Sequence, residues 1–206
     1  MLRVGLTGGV ACGKTTVARM LRERGAYILL ADKLAHELMQ PGETVYDRVV
    51  ERFGRGILNE DGSISRPRLA ELAFAGCIQE LNALVHPAVL EAEDRWMDKV
   101  GLGDPVAIAV CEAALLYEAG GHERFDRIIV VTCPLESKIQ RFAQRVGITF
   151  EAAHADVERR MRAQWSDEAK AARADYIIDN SGPLEDTARQ VEKVWQQLRE
   201  AERHGR

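Results

Sequence analysis

The residues Gly8-Gly9-Val10-Ala11-Cys12-Gly13-Lys14-Thr15-Thr16 carry the densest chemistry in the chain. Gly8 and Gly13 are separated by four residues and followed by Lys14-Thr15, the full spacing of a phosphate-binding loop. Glycine tolerates positive φ, which lets such a loop curl until its N–H groups converge on an anion. A helix over about residues 13–24 adds unpaired N–H groups and the positive end of its dipole. Lys14 is then placed to reach the β and γ phosphates of ATP, and the Thr15 hydroxyl to ligate Mg²⁺. The alternative, a chance glycine turn, is weakened by the strand-like run Leu2–Thr7 before the loop and the helix-forming run after it. Within the loop, the N–H groups and Lys14 favour a thiolate at Cys12, which would make it oxidisable; the other reading is a small residue that fits.

Two carboxylates follow apolar runs in the way that functional groups collect at the carboxyl ends of parallel strands. Asp32 comes after Ala26–Leu30, and it reads either as a general base or as the N-cap of a helix over 33–39. Glu112 comes after Val106–Cys111, where a carboxylate could hold Mg²⁺ through water. Basic side chains outnumber acidic ones over 138–173. Arg141 and Arg145 share one helical face, and Arg159, Arg160 and Arg162 form a second cluster. This is either a solvated helical hairpin or a lid whose arginines neutralise a transferred phosphoryl group.

Short apolar runs alternating with helical patterns must position these groups. Runs at 2–7, 26–30, 106–111, 127–132 and 174–179 predict a five-stranded parallel sheet with helices on both faces, an α/β class. Helices are expected over about 44–53, 66–75 and 78–99, with Ser65 as an N-cap, a turn at Asp61-Gly62, Gly76 as a break and Pro87 inside the third. That stretch is a helical insertion rather than another βα unit. Pro134 opens a helix to Gly147, and Val191, Val194, Trp195 and Leu198 share a face of the last helix.

The 206 residues, 46% hydrophobic and 29% charged, describe a soluble globular chain. A net charge of −4 argues against a duplex nucleic-acid binder. No apolar run approaches the roughly 18 residues of a membrane helix, and no leader pattern precedes the first strand. A cytoplasmic monomer is the expectation, with neither nucleic acid nor membrane as partner. The four cysteines show no metal-ligand spacing. A carboxylate beside Mg²⁺-bound ATP, removing the proton of an alcohol, is small-molecule kinase chemistry.

Beyond the loop, several segments resemble the dephospho-CoA kinase family in family order from residue 2 to about 198. They are Leu6-Thr7-Gly8-Gly9, Ala31-Asp32 before Leu34-Ala35, Phe53-Gly54 with Ile57-Leu58 and Asp61-Gly62, Leu81-Asn82 with His86-Pro87, Leu115-Leu116-Tyr117-Glu118, and Ala174–Asn180. The resemblance implies a P-loop nucleotide-kinase-like three-layer α/β/α fold. Its core would be 1–40, 104–135 and 174–206, with a helical acceptor-binding insertion at about 41–103 and a lid at about 136–173. It implies phosphorylation of the ribose 3′-hydroxyl of dephospho-CoA, with ATP as co-substrate and Mg²⁺ as cofactor, in the last step of coenzyme A synthesis. Asp32 then matches the base, Lys14 and Arg141 join it in catalysis, and residues 8–16 with Arg141, Arg160 and Asn180 bind ATP. Asn82, His86 and Leu115, with Asp32, bind the acceptor, and Thr15 and Glu112 serve the metal.

The chain departs from the family pattern at Leu30 and Glu112, where Asp is usual, at His36, where Arg is usual, and at Ala114, where Pro is usual. Altered rate or affinity is expected from these, not lost activity. The alternative is another P-loop kinase of a small alcohol or a nucleoside monophosphate. A GTP switch is disfavoured because no Asn-Lys-x-Asp guanine motif occurs.

Overall fold

The computed structural model describes residues 1–204; Gly205, Arg206 and the side chain of Phe74 lie outside the described residues. The chain divides into two compact units, Met1–Leu29 with Met97–Arg206, and Leu30–Trp96. No helix among the described residues is long and apolar enough to cross a membrane.

The first unit is built on β1 (Leu2–Gly8), whose side chains are nearly all buried because it lies inside the sheet with a neighbour on each side. The five strands run in the order β2 (Tyr27–Leu30), β3 (Ile108–Glu112), β1, β4 (Arg127–Thr132), β5 (Tyr176–Asp179), with parallel pairing. Register places Leu6 opposite Glu112 and Gly8 opposite Val131, so the loop after β1 and the Glu112 carboxylate share one sheet edge. On one face, Val4, Leu6, Val110, Ile129 and Val131 pack with Val17, Ala18 and Leu21 of α1 (Lys14–Glu23) and Val191, Val194 and Leu198 of α9 (Leu184–His204). Alternate residues Ile128 and Val130 face the other side, against Leu116 and Tyr117. The expected covering helix is therefore present, and its predicted apolar face is the buried one.

The second unit is helical. It holds α2 (Ala31–Leu38), α3 (Thr44–Phe53), α4 (Arg66–Leu72) and most of α5 (Ile78–Gly103). The Asp61-Gly62 turn forms as expected: Asp61 accepts from the backbone N–H of Ser63 at 2.9 Å and from its hydroxyl at 2.6 Å, which lowers the Asp61 carboxyl from its ordinary value. Tyr46 closes the turn by donating to the Gly62 carbonyl at 2.6 Å.

Three local expectations are corrected. α2 begins at Ala31, directly from β2, and Leu30 is its N-cap. Asp32 therefore lies in the first turn and is not a cap. Ser65 is the N-cap residue of α4, but its side chain makes no capping bond; Thr149 and Ser166 are side-chain caps, accepting from Ala152 at 3.3 Å and Ala169 at 3.1 Å. Gly76 breaks the helical geometry between α4 and α5 where the sequence places it, taking φ +120°. α5 also continues past residue 99, where Gly101 leaves room for the Met1 side chain.

Candidate active site

The loop after β1 curls as its composition requires. Gly13 takes φ +100°, and Ala11, without glycine's freedom, also takes φ +53°. Little space remains behind it. A Cβ on Gly8 would lie 2.2 Å from the Val131 carbonyl oxygen, and one on Gly13 only 2.1 Å from Asn180 Nδ2. Only glycine fits at either position.

Each expected nucleotide-side residue has a definite place. Lys14, at the first position of α1, donates from Nζ to the Gly8 and Gly9 carbonyls at 3.1 and 3.0 Å. Thr15 donates to Glu112 Oε1 at 3.2 Å, so the two side chains assigned to the metal meet across β1 and β3. Thr16 continues the first turn, its N–H on the Gly13 carbonyl at 3.0 Å. Val10 packs with Ile139, Phe142, Ala153 and Val157, and Ala11 lies against that cluster.

Asn180 is buried behind the loop. Its Nδ2 donates to the Cys12 carbonyl at 2.8 Å and its Oδ1 accepts from Thr187 at 2.8 Å. Arg141 donates to the Asn180 carbonyl at 2.8 Å and the Cys12 carbonyl at 3.4 Å. The amide of Asn180 thus ties the end of β5 and α9 to the back of the phosphate loop, a role that its place in the resemblance did not suggest.

The charged stretch folds into α6 (Leu135–Val146), α7 (Phe150–Arg162) and α8 (Asp167–Ala171). Apart from Arg141, four of its arginines fall into two groups. Arg159 and Arg162 pair within α7, with Asp156 and Glu158. Arg145 and Arg160 both place their guanidinium groups 5.3 Å from the centre of the Phe142 ring, where cation–π attraction holds them.

Of the two readings of Cys12, the buried position supports the small residue that fits and not the oxidisable thiolate. The thiol is fully buried, and that burial raises it from its ordinary value against the smaller opposing influence of Lys14. Cys133 is pushed up to about 11 by burial, with Cys12 next to it adding to the effect.

The acceptor-side residues are placed on separate elements. Asp32 is exposed, in the first turn of α2. Asn82 and His86 are half-buried one turn apart on α5, and Leu115 is half-buried in the loop after β3. His36, where the family usually has Arg, lies one turn before Gln40, whose Nε2 donates to the His36 carbonyl at 3.0 Å.

Sequence reading missed two buried lysines near this edge. Lys138 pairs with Asp167 at 2.5 Å, and Lys170 pairs with Glu118 at 3.0 Å while donating to the Ala114 carbonyl at 3.0 Å. One signal was available. Lys138 occupies the apolar stripe of α6 with Ile139 and Phe142, where a charge needs a buried partner.

A phosphate-binding loop on the central strand of a parallel sheet, with a hydroxyl and a carboxylate meeting beside it, defines a P-loop nucleotide-binding protein. The shikimate kinase of Bacteroides thetaiotaomicron shares this fold, with a TM-score of 0.53 at 15% identity. A family model for dephospho-CoA kinase matches residues 2–186, and the chain belongs to that family. It is 42% identical over 205 residues to the dephospho-CoA kinase of Syntrophus aciditrophicus, covering 98% of this chain and 86% of that one. It is 41% identical to the Aquifex aeolicus enzyme of that name, covering 96% and 98%. Among solved structures, a Thermus thermophilus protein aligns with a TM-score of 0.76 at 30% identity, covering 96% and 97%. Dephospho-CoA kinase from Campylobacter jejuni aligns with a TM-score of 0.67 at 25% identity, covering 97% and 98%.

Proposed function

We propose that this protein transfers the γ-phosphoryl group of ATP to the ribose 3′-hydroxyl of dephospho-CoA, giving coenzyme A and ADP in the last step of coenzyme A synthesis. The observation that carries the reading is the phosphate loop itself, with Lys14 folded onto it and Thr15 bonded to Glu112, in a chain of this family.

In this reading the Asp32 carboxylate takes the proton of the 3′-hydroxyl as its oxygen attacks the γ-phosphorus and the bond to the β-bridging oxygen breaks. Lys14 and the loop N–H groups hold the phosphates, while Arg141 and Arg160 neutralise charge on the transferred group. Asn180 serves ATP binding by holding the loop at Cys12. Asn82, His86 and Leu115 bind the acceptor within the insertion and beside it, and residues 136–173 act as the lid. Magnesium, bound with ATP, would neutralise the β and γ phosphates; the Thr15 hydroxyl and, through water, Glu112 are the residues to hold it. The donor set fits such an ion, because both side chains offer hard oxygen. No group of three or more His, Cys, Asp or Glu among the described residues could hold a metal without the nucleotide's own oxygens. The protein is read as a cytoplasmic monomer whose partners are ATP and dephospho-CoA.

The test is a coupled assay of ADP release from Mg·ATP with dephospho-CoA, run beside adenosine, AMP and shikimate. Turnover confined to dephospho-CoA is expected. Turnover with another acceptor, or none, would leave only the P-loop kinase fold.

A further inference from the structure

Lys138 and Asp167 fall within the residues read as the lid but carry no role of their own in that reading, yet both press on the phosphate loop. Their side chains are 3% and 17% exposed and meet at 2.5 Å. A methyl group on Gly9 would lie 2.6 Å from Asp167 Oδ1 and 2.8 Å from Lys138 Nζ. The pair therefore occupies the space that the missing Cβ of Gly9 leaves open. From within the loop, Lys14 donates to the Gly9 carbonyl at 3.0 Å.

The pair is an unusual choice for stability alone. Burying two charges costs desolvation that their attraction roughly offsets, so an apolar pair of similar volume would hold α6 to α8 about as well. The surroundings favour such an apolar pair, since Ile139 and Phe142 next to Lys138 already pack on Val10 of the loop. What the ion pair adds is direction. A hydrogen-bonded ammonium and carboxylate have fixed positions against the Gly9 α-carbon, where apolar side chains would allow several rotamers. The loop is braced residue by residue: Gly9 by this pair, Val10 by the α6–α7 cluster, and Cys12 by Asn180.

We propose that Lys138 and Asp167 are positioning residues for nucleotide binding, an ion pair that braces Gly9 so that the loop N–H groups converge on the phosphates. The inference rests on the loop being the ATP site. Its energetic effect falls on the nucleotide, because the group that the pair presses on is Gly9 of the phosphate loop. Lys138→Met and Asp167→Asn each leave one buried charge unpaired against the loop, and Lys138→Met/Asp167→Leu removes both charges and so avoids that penalty in folding.

The measurement is ADP affinity by titration calorimetry without acceptor, beside the KM values for ATP and dephospho-CoA and the melting temperature. Expected is about a tenfold loss of ADP affinity in each single variant, with the double variant no weaker than the weaker single one, since one interaction is lost in all three. The KM for ATP rises in parallel while that for dephospho-CoA stays within about twofold. ADP affinity unchanged in variants that only melt lower, or equal rises in both KM values, would overturn the brace and leave a merely structural pair. Lys14→Ala separates this from failure of the site itself: if that variant also binds ADP like the parent chain, the nucleotide site is wrong rather than the brace.

Discussion

Asp32 differs from the other well-placed carboxylates in being uncommitted. Asp61 closes a turn, Asp167 pairs with Lys138 and Glu118 with Lys170, while Asp32 stands exposed in the first turn of α2 with neither a capping role nor a described partner. Asp32→Asn is expected to lower kcat about 10²–10⁴-fold with ADP affinity unchanged, checked by steady-state kinetics beside calorimetry. Normal turnover would remove Asp32 as the base. The thiols give a second residue-scale expectation. Cys12, Cys111 and Cys133 are buried and Cys77 is half-buried, so a disulfide reagent at pH 7.5 should titrate one fast thiol in the native protein and four in denaturant. The sign follows from burial. A thiol whose value rises from 9.0 to about 11 on folding adds full stability below pH 9 and loses it as the pH climbs towards 11. Cys133→Ala should therefore flatten the fall of melting temperature over that range. The phosphate loop was legible in full because its chemistry depends on glycines and a Lys-Thr at fixed spacing. The choice between the two readings of Cys12 needed the structure, because burial, which no local pattern reveals, outweighs Lys14.

At the scale of elements, α8 has five residues and two buried ion pairs, Asp167 to Lys138 on α6 and Lys170 to Glu118 after β3. The backbone N–H of Trp165 also donates to Glu118 Oε1 at 2.7 Å, and the Trp165 ring stacks on Tyr117 at 5.3 Å. This end of the expected lid is anchored, which confines any opening to the segment before it. Limited proteolysis should cut between Gly147 and Gln164 and be suppressed when ATP and dephospho-CoA are both present. Equal rates with and without ligands would make the segment a rigid hairpin. α1, α3 and α6 were legible to within a residue or two, and so was the start of α9, since each shows an apolar stripe and a clear breaker. α8 was not, because five residues cannot display a period of 3.6. The direct passage from β2 into α2 also escaped, because Asp32 satisfies the pattern of a cap as well as that of a first-turn acid.

For the molecule as a whole, a ligand that binds only the folded state raises stability by mass action. Mg·ADP at about 100 times its dissociation constant should add about 2.7 kcal/mol. For a chain of this size that corresponds to a rise in melting temperature of roughly 5–10 °C, read by calorimetry or dye fluorescence. Lys14→Ala should abolish the rise, and its absence in the unaltered protein would remove the nucleotide site. The effect is global because the loop belongs to the central strand, so tightening it tightens the sheet edge on which Glu112 and Asn180 also lie.

The order of apolar runs and helical patterns determined the α/β class, the parallel sheet and the helical insertion, because strand and helix periods are local properties of the chain. The glycine spacing likewise determined that an anion site follows β1. Tertiary structure alone decided that Thr15 meets Glu112, that Asn180 holds Cys12 from 168 residues away, and that Lys138 and Asp167 meet against Gly9. Those contacts depend on strand order and register, and no local pattern encodes which distant segments become neighbours.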